Sequence, residues 1–411
     1  MPFFYHIQNT ITMLAFDHTN FHGKRVVMRV DFNVPLDPDF NITDDTRIRS
    51  AVPTIMKILN DGGSVVLMSH LGRPKGGPEH KYSLKHIVRH LGDLLQPYAV
   101  KFEDDCISDS AFSASASLKD GEVLLLENLR FYPEEEKGDR DFAQKLSRHG
   151  QIYINDAFGT AHRAHASTAT IAEFFDADHK GFGYLMAAEV SNGNKILKEA
   201  VHPVTAIVGG AKVSDKIKLL ENLIDRTDYI LIGGGMAYTF IAAKGGKIGK
   251  SLFEPDYAEL ALKILDKARN KGTHIYLPED SVIADRFSAD AEVSVAKSSH
   301  IPEEWLGLDI GPEAAKTYRN VILQSKTILW NGPMGVFEME RFSRGTFTVA
   351  QAVADATEKG AFSLIGGGDS VSAINQSGLE DKVSFVSTGG GAMLELLEGR
   401  ELPGITAIEK G

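Results

Sequence analysis

The chain has 411 residues, 43% hydrophobic and 24% charged, the composition of a globular protein long enough for two domains rather than one core. Its formal net charge of −11 argues against non-specific nucleic-acid binding by the surface as a whole, and no apolar run has the length to span a bilayer. One cysteine, Cys106, excludes an intrachain disulfide and points to a reducing, cytoplasmic compartment.

The leader Met1–Met13 carries aromatics but no Lys or Arg and no small-residue cleavage site, so it reads as a frayed or irregular extension and not as a signal peptide. From there the first half alternates. Short β-rich runs at Arg25–Val30, Val65–Met68, Val123–Leu126 and Ile152–Ile154 each end in polar residues. Helical patterns at Arg49–Asn60, Ser83–Leu95 and Asp139–His149 lie between them. Strand–helix alternation implies a parallel sheet with helices on both faces, and in that architecture every strand ends at the same edge. The exits therefore bring Asp31, Asn33, His70, Arg73, Arg130 and Arg163 toward one region, and Arg47, at the start of the first helix, can join them.

A lone Arg in a loop is an ordinary solvated charge. Several guanidinium groups at one sheet edge repel each other unless an anion sits there, and Arg pairs with phosphate or carboxylate through two parallel hydrogen bonds. A small polyanionic ligand is the expectation for this half. His162 and His165 carry no metal-site spacing.

Leu185–Glu199 reads as a helix interrupted near Asn192-Gly193 and closed off by His202-Pro203; it is the expected domain connector. A second alternating series follows, with strands at Thr205–Val208, Tyr229–Ile232, His274–Leu277, Thr327–Leu329, Phe362–Ile365 and Ser384–Val386. Their exits are glycine-rich or polar: Gly209-Gly210, Gly233-Gly234-Gly235, Trp330-Asn331-Gly332-Pro333, Gly366-Gly367-Gly368-Asp369-Ser370 and Gly389-Gly390-Gly391. Glycine lets backbone N–H groups approach a ligand closely, and a helix N-terminus favours negative charge, so this half is expected to hold a nucleotide, with Gly210 and Gly234 among its contacts. Amphipathic stretches at Asp256–Asn270 and Glu313–Leu323 would cover the sheet. The run Gly245–Ser251 imitates a Walker A loop, but Lys244 stands where the first glycine belongs and a helical stretch precedes it. None of the glycine triads continues as a dinucleotide fingerprint, which counts against a nicotinamide oxidoreductase.

The motifs Arg29–Leu36, Ser69–Pro74, Leu126–Phe131, Asp156–Ser167, Gly209–Lys216, Trp330–Glu338, Gly366–Ser370 and Ser387–Gly391 resemble, in order and from about Phe16 to the end, those of the phosphoglycerate kinase family. The resemblance implies α/β architecture with two doubly wound, Rossmann-like parallel-sheet domains joined by a helix. The expected boundaries are 1–184 for the first domain, 185–202 for the connector and 203–395 for the second, with the tail 396–411 returning to the first. It implies reversible phosphoryl transfer between ATP and the carboxylate of 3-phosphoglycerate, giving ADP and 1,3-bisphosphoglycerate, with magnesium, in a monomer without nucleic-acid or membrane partners. Carried over by motif, Asp31, Asn33, Arg47, His70, Arg73, Arg130 and Arg163 would hold 3-phosphoglycerate. Lys212, Lys216, Asn331, Glu338, Gly367, Gly368, Asp369 and Ser370 would serve the nucleotide, with Glu338 on the ribose hydroxyls and Asp369 facing the metal.

The acceptor carboxylate, with a reference pKa near ~3.5, is already ionised at neutral pH, so no general base is required. What remains is to align two anions and neutralise the moving phosphoryl group. Lys216 and Arg47, with the backbone N–H groups of Gly390 and Gly391, are the expected catalytic set, acting after the domains close. A ligand sensor that had kept the fold and lost catalysis is expected to lack Lys216, Asp369 or Arg47, and all three are present.

Overall fold

The computed structural model describes residues 14–410; the extension expected at Met1–Met13 lies outside them. Packing divides the chain into two compact units. One runs from the first described residues to Val190 and regains the tail from Glu401; the other is Ser191–Arg400.

In the first unit the elements are β1 (Arg25–Val30), α1 (Thr46–Asn60), β2 (Ser64–Met68), α2 (Val88–Leu94), β3 (Ala99–Glu103), α3 (Asp109–Ala116), β4 (Glu122–Leu126), α4 (Pro133–Glu136), α5 (Arg140–Ser147), β5 (Ile152–Asp156), β6 (Lys180–Phe182) and the start of α6 (Tyr184–Leu197). Six strands form one parallel sheet in the order β3-β4-β2-β1-β5-β6. The central strands are buried on both faces, which is why they read as unbroken apolar runs. Val26, Met28 and Val30 pack with Ile48, Ile55 and Ile58 of α1, whereas Val27 and Arg29 belong to the opposite face. Side-chain caps fix the helix starts: Ser108 Oγ accepts Ala111 N at 3.1 Å and Asp139 Oδ1 accepts Phe142 N at 2.8 Å. β1 lies between β2 and β5, so the connections leaving β1 and β5 run in opposite directions and open a crevice at their C-terminal ends.

The second unit contains β7 (Val204–Val208), α7 (Ile217–Ile224), β8 (Tyr229–Ile232), α8 (Met236–Ala243), β9 (Lys247–Ile248), α9 (Ala258–Lys271), β10 (His274–Tyr276), β11 (Asp280–Ala284), β12 (Val293–Lys297), β13 (His300–Ile301), β14 (Leu306–Ile310), α10 (Pro312–Ile322), β15 (Thr327–Asn331), α11 (Arg344–Glu358), β16 (Phe362–Ile365), α12 (Gly368–Gln376), β17 (Phe385–Val386) and α13 (Gly391–Leu397). Its parallel sheet has the order β10-β8-β7-β15-β16-β17, built from the six strands expected in this half. The switch in direction falls between β7 and β15, beside Gly209-Gly210 and Asn331-Gly332. The tail helix α14 (Pro403–Glu409) packs in the first unit, where Gly404 N donates to Ala161 O at 2.8 Å and Asn155 Nδ2 donates to Gly404 O at 3.2 Å.

Several expectations need correction. α6 is continuous through Asn192-Gly193. Gly193 serves close packing: a Cβ there would stand 2.6 Å from Leu396 Cδ2. The division between units falls inside α6, after Val190, and the returning tail begins at Glu401, because residues 391–397 form α13 and pack against α7 in the second unit. The stretch expected as one helix from Ser83 splits into a 3-10 turn, Leu84–Ile87, and α2. The edge strands β3 and β6, the antiparallel sheet β12-β11-β14 and the pair β13-β9 were not foreseen.

Candidate functional site

At the C-terminal edge of the first sheet, Asp31 and Asn33 leave β1 and meet Arg47 from the first turn of α1. Arg47 Nη1 lies 3.2 Å from Asp31 Oδ2 and donates to Asn33 O at 3.0 Å. Asn33 Oδ1 accepts Gly72 N at 2.8 Å, tying the β1 exit to the β2 exit. From β4, Asn128 Nδ2 donates to Leu71 O and Tyr82 O at 2.7 and 2.9 Å, and its Oδ1 accepts Arg130 N at 3.0 Å. Arg130 Nη1 donates to Gly72 O at 2.8 Å. Its Nε is buried with no aligned acceptor, although Glu136 Oε1 is 3.3 Å away. Arg163 follows the turn after β5, with Nε 3.2 Å from His162 Nε2. Arg73 is exposed and has no hydrogen bond or ion pair among the described residues.

The electrostatics match the geometry. Burial, then Arg29, Arg130 and Arg47, hold His70 well below the usual histidine range, so its ring is neutral at physiological pH. Burial, then Arg29, Arg130 and Arg163, push His165 down to about 3. Arg130 is itself lowered by burial, and Arg29 and Arg163 act in the same direction. Cations that depress one another in a partly dry edge, with Glu136 as the carboxylate beside Arg130 Nε, are an arrangement that would suit a compact anion.

Sequence reasoning missed the layer beneath. Arg29, Glu135 and Ser167 are fully buried, and His165 is 6% exposed. Arg29 Nε donates to Ser167 Oγ at 2.8 Å, and Ser167 Oγ donates to Glu135 Oε1 at 2.6 Å. The available signal was a charge inside an otherwise apolar central strand, Arg25-Val-Val-Met-Arg29-Val.

In the second unit the edge is built from backbone. A Cβ on Gly209 would stand 2.0 Å from Pro333 O, and one on Gly332, at φ +103°, 2.1 Å from Gly209 O; neither exit tolerates a side chain. Gly210 and Gly234 approach likewise, since a Cβ on Gly234 would lie 2.5 Å from Gly210 O. Lys216, the residue before α7, donates from Nζ to Asn331 Oδ1, and Asn331 Nδ2 donates to Gly366 O at 2.8 Å. Three strand exits thus meet at one amide. Burial lowers the Lys216 ammonium, while the charges of Asp215, Asp369 and Glu398 pull it back up. Ser370 is buried, and its Oγ accepts Gly332 N at 2.5 Å. Gly367 at φ +93° precedes α12 and Gly390 at φ +48° precedes α13; open space surrounds the Cβ positions of Gly368, Gly390 and Gly391. Lys212, Glu338 and Asp369 are exposed.

No cluster of three or more His, Cys, Asp or Glu side chains that could hold a metal occurs among the described residues. Asp369 is a lone exposed carboxylate at the first turn of α12, which fits a hard cation taking its other ligands from phosphate oxygens and water. The Walker-like run, expected as a loop, contains the short strand β9 paired with β13, and Lys250 beyond it pairs with Glu304. No helix among the described residues is long and apolar enough to cross a membrane.

The family model described as phosphoglycerate kinase matches residues 16–400. A phosphoglycerate kinase of Porphyromonas gingivalis is 52% identical over 96% of this chain and 100% of its own, and one of Chloroherpeton thalassium is 53% identical over 95% and 98%. Among solved structures, phosphoglycerate kinase from Coxiella burnetii superimposes with a TM-score of 0.88 at 39% identity, covering 96% of this chain and 98% of its own. The Pyrococcus horikoshii enzyme does so with 0.81 at 34%, with the same coverage.

Proposed function

The chain belongs to the phosphoglycerate kinase family, and its reaction is the glycolytic phosphoryl transfer between ATP and 3-phosphoglycerate; from that premise we propose how its residues divide the work. The arginine edge of the first unit takes 3-phosphoglycerate. The observation that carries this is the convergence of Arg47, Arg130 and Arg163 around a neutral His70, with Arg130 Nε buried and making no hydrogen bond. Asp31 and Asn33 orient Arg47 there, and exposed Arg73 closes on the ligand from the loop after β2. The glycine edge of the second unit takes ATP or ADP. Gly210, Gly234, Gly367 and Gly368 let the nucleotide approach the backbone, Lys212 and Lys216 meet its phosphates, and Glu338 takes the ribose hydroxyls. Asn331 and buried Ser370 hold the surrounding turns in place.

The acceptor carboxylate is ionised at neutral pH, so no residue removes a proton, and catalysis is charge stabilisation and alignment. Lys216 and Arg47 stabilise the transferring group, with the backbone N–H groups of Gly390 and Gly391 on its oxygens. Asp369 would hold a magnesium ion, which when bound supplies charge neutralisation at the phosphate oxygens. Domain closure belongs to the proposal, since ligands held by separate units react only when brought within bonding distance. A cytoplasmic monomer completes it, in keeping with a chain whose single cysteine, Cys106, is buried and forms no disulfide.

A coupled assay of ATP-dependent phosphorylation of 3-phosphoglycerate tests the division. Arg163→Ala is expected to raise KM for 3-phosphoglycerate about tenfold or more and leave that for the metal–nucleotide within about twofold, and Asp369→Ala to do the reverse. Equal losses on both ligands in either variant would overturn it.

A further inference from the structure

Beneath the arginine edge runs a chain of hydrogen bonds whose directions are all dictated. An arginine side chain has donors only. Arg29 Nη2 lies 3.3 Å from His70 Nδ1, so that nitrogen presents its lone pair. Arg29 Nη1 is held by Val30 O, and Nε donates to Ser167 Oγ at 2.8 Å. The serine oxygen accepts there and points its own hydrogen at Glu135 Oε1, 2.6 Å away. Ser167 N fills the other oxygen, Glu135 Oε2, at 3.0 Å. Both oxygens of Glu135 therefore accept, as a carboxylate does; burial raises its pKa, and Arg29 and the two Ser167 donors pull it back. The backbone closes the frame, since Ala166 N donates to Glu135 O at 2.9 Å. Glu135, Ser167 and Arg29 are fully buried and His70 is 4% exposed, so water does not substitute for any link.

We propose that Glu135 is a positioning residue for the acceptor site: through Ser167 and Arg29 it locks the His70 ring with Nδ1 as acceptor and leaves Nε2–H as the donor offered to the ligand. His70 Nε2 has no hydrogen bond among the described residues, and Asp31 Oδ1, 3.8 Å from Nδ1, lies beyond hydrogen-bond distance while Arg29 Nη2 lies at 3.3 Å. A neutral imidazole with Nδ1 engaged as acceptor carries its proton on Nε2, and an N–H donor suits an anion where a lone pair would repel it. The inference rests on the reading that His70 belongs to the 3-phosphoglycerate site.

Glu135→Gln is nearly isosteric but reverses one link. Two Ser167 donors cannot both face an amide that itself donates from one side, so Ser167 turns and Arg29 Nε loses its acceptor. Nitrogen-15 NMR of the imidazole rings reads the outcome directly. In the unaltered protein His70 is expected in the Nε2–H form, and in Glu135→Gln as a mixture of the two tautomers. KM for 3-phosphoglycerate is expected to rise about tenfold, with KM for ATP within about twofold. Ser167→Ala should move both readouts the same way, and the double variant should be no worse than the worse single, since both act on one path. An Nδ1–H tautomer in the unaltered protein overturns the proposal whether or not the variants fold, as does Glu135→Gln with an unchanged KM. His70→Ala separates the two readings. If it leaves KM for 3-phosphoglycerate unchanged while the tautomer is as expected, the site assignment fails and the relay stands.

Discussion

The two sheet edges proposed to bind anions are built by opposite means. At the edge of the first unit, charged side chains carry the site, and a buried polar layer fixes them before any ligand arrives: Arg47 on Asp31 and Asn33, Arg130 on Gly72, His70 on Arg29. At the edge of the second unit, backbone carries the site. Gly209, Gly332 and Gly234 bring strand exits so close that no Cβ fits, and the charged groups Lys212, Glu338 and Asp369 stand exposed around them. The difference matches the two ligands in the proposed division. A compact triose phosphate offers few atoms, and each must be met by a preplaced donor. A nucleotide is long and rich in phosphate oxygens, and a row of N–H groups on an unencumbered backbone can follow it.

The sharpest way to break that comparison is to give the second edge a side chain. Gly332→Ala places a methyl group 2.1 Å from Gly209 O at φ +103°, a backbone–backbone junction with nothing flexible to yield. We expect a loss on the order of 4 kcal/mol or more, with the second unit unfolding separately in calorimetry. Gly368→Ala, where a Cβ meets nothing within 4 Å, should leave the melting profile nearly unchanged and act only on nucleotide binding. Wild-type melting of Gly332→Ala would refute the claim that this edge is made by backbone apposition. The next largest effect is expected at the charged side chain of that edge held in place, Lys216 on Asn331. Lys216→Ala should cost about a hundredfold or more in kcat at saturating substrates, with the fold intact by circular dichroism. Near-normal turnover would mean that backbone alone neutralises the moving phosphoryl group.

The same contrast decides what could be read from the sequence. Both parallel sheets were legible, since their central strands are buried on both faces and stop at glycine or polar exits. The exits from which candidate site residues were drawn were legible for the same reason. β3 and β6 escaped because they are edge strands with charges in them, Lys101 and Glu103 in one, Lys180 in the other. β12 escaped because Val293 and Val295 are exposed, so their alternation marks no core. Gly193 looked like a helix breaker because sequence shows what glycine lacks and not the Leu396 side chain that fills the space. The Arg29–Ser167–Glu135 layer is invisible to any local window: its members come from β1, the loop after β5 and α4, and only the folded sheet joins them.

The smallest expected effect sharpens the comparison from the side of the first unit, where not every buried acid is a paired one. Asp156 ends β5 and is fully buried; its Oδ1 accepts Met186 N at 3.0 Å, and its Oδ2 has no partner. Burial pushes its carboxyl up to about 7, while the Thr54 hydroxyl and the N–H groups of Met186 and Leu185 restrain the rise. The folded state therefore keeps a proton that the unfolded chain releases near pH ~4. A raised carboxyl pKa stabilises fully below the unfolded value, and that contribution is lost as pH rises through about 7. Between those limits the slope from this one group is about 1 kcal/mol per pH unit, falling toward alkaline pH. Asp156→Asn carries no charge to bury, so urea unfolding at pH 5, 6, 7 and 8 should show a flatter profile, near wild type at pH 5 and about 2 kcal/mol above it at pH 8. An unchanged slope would mean that Asp156 is ionised in the fold. Its charge would then be carried by the Thr54 hydroxyl and the Met186 and Leu185 N–H groups alone, and the first unit, like the glycine edge, would hold an anion on neutral donors.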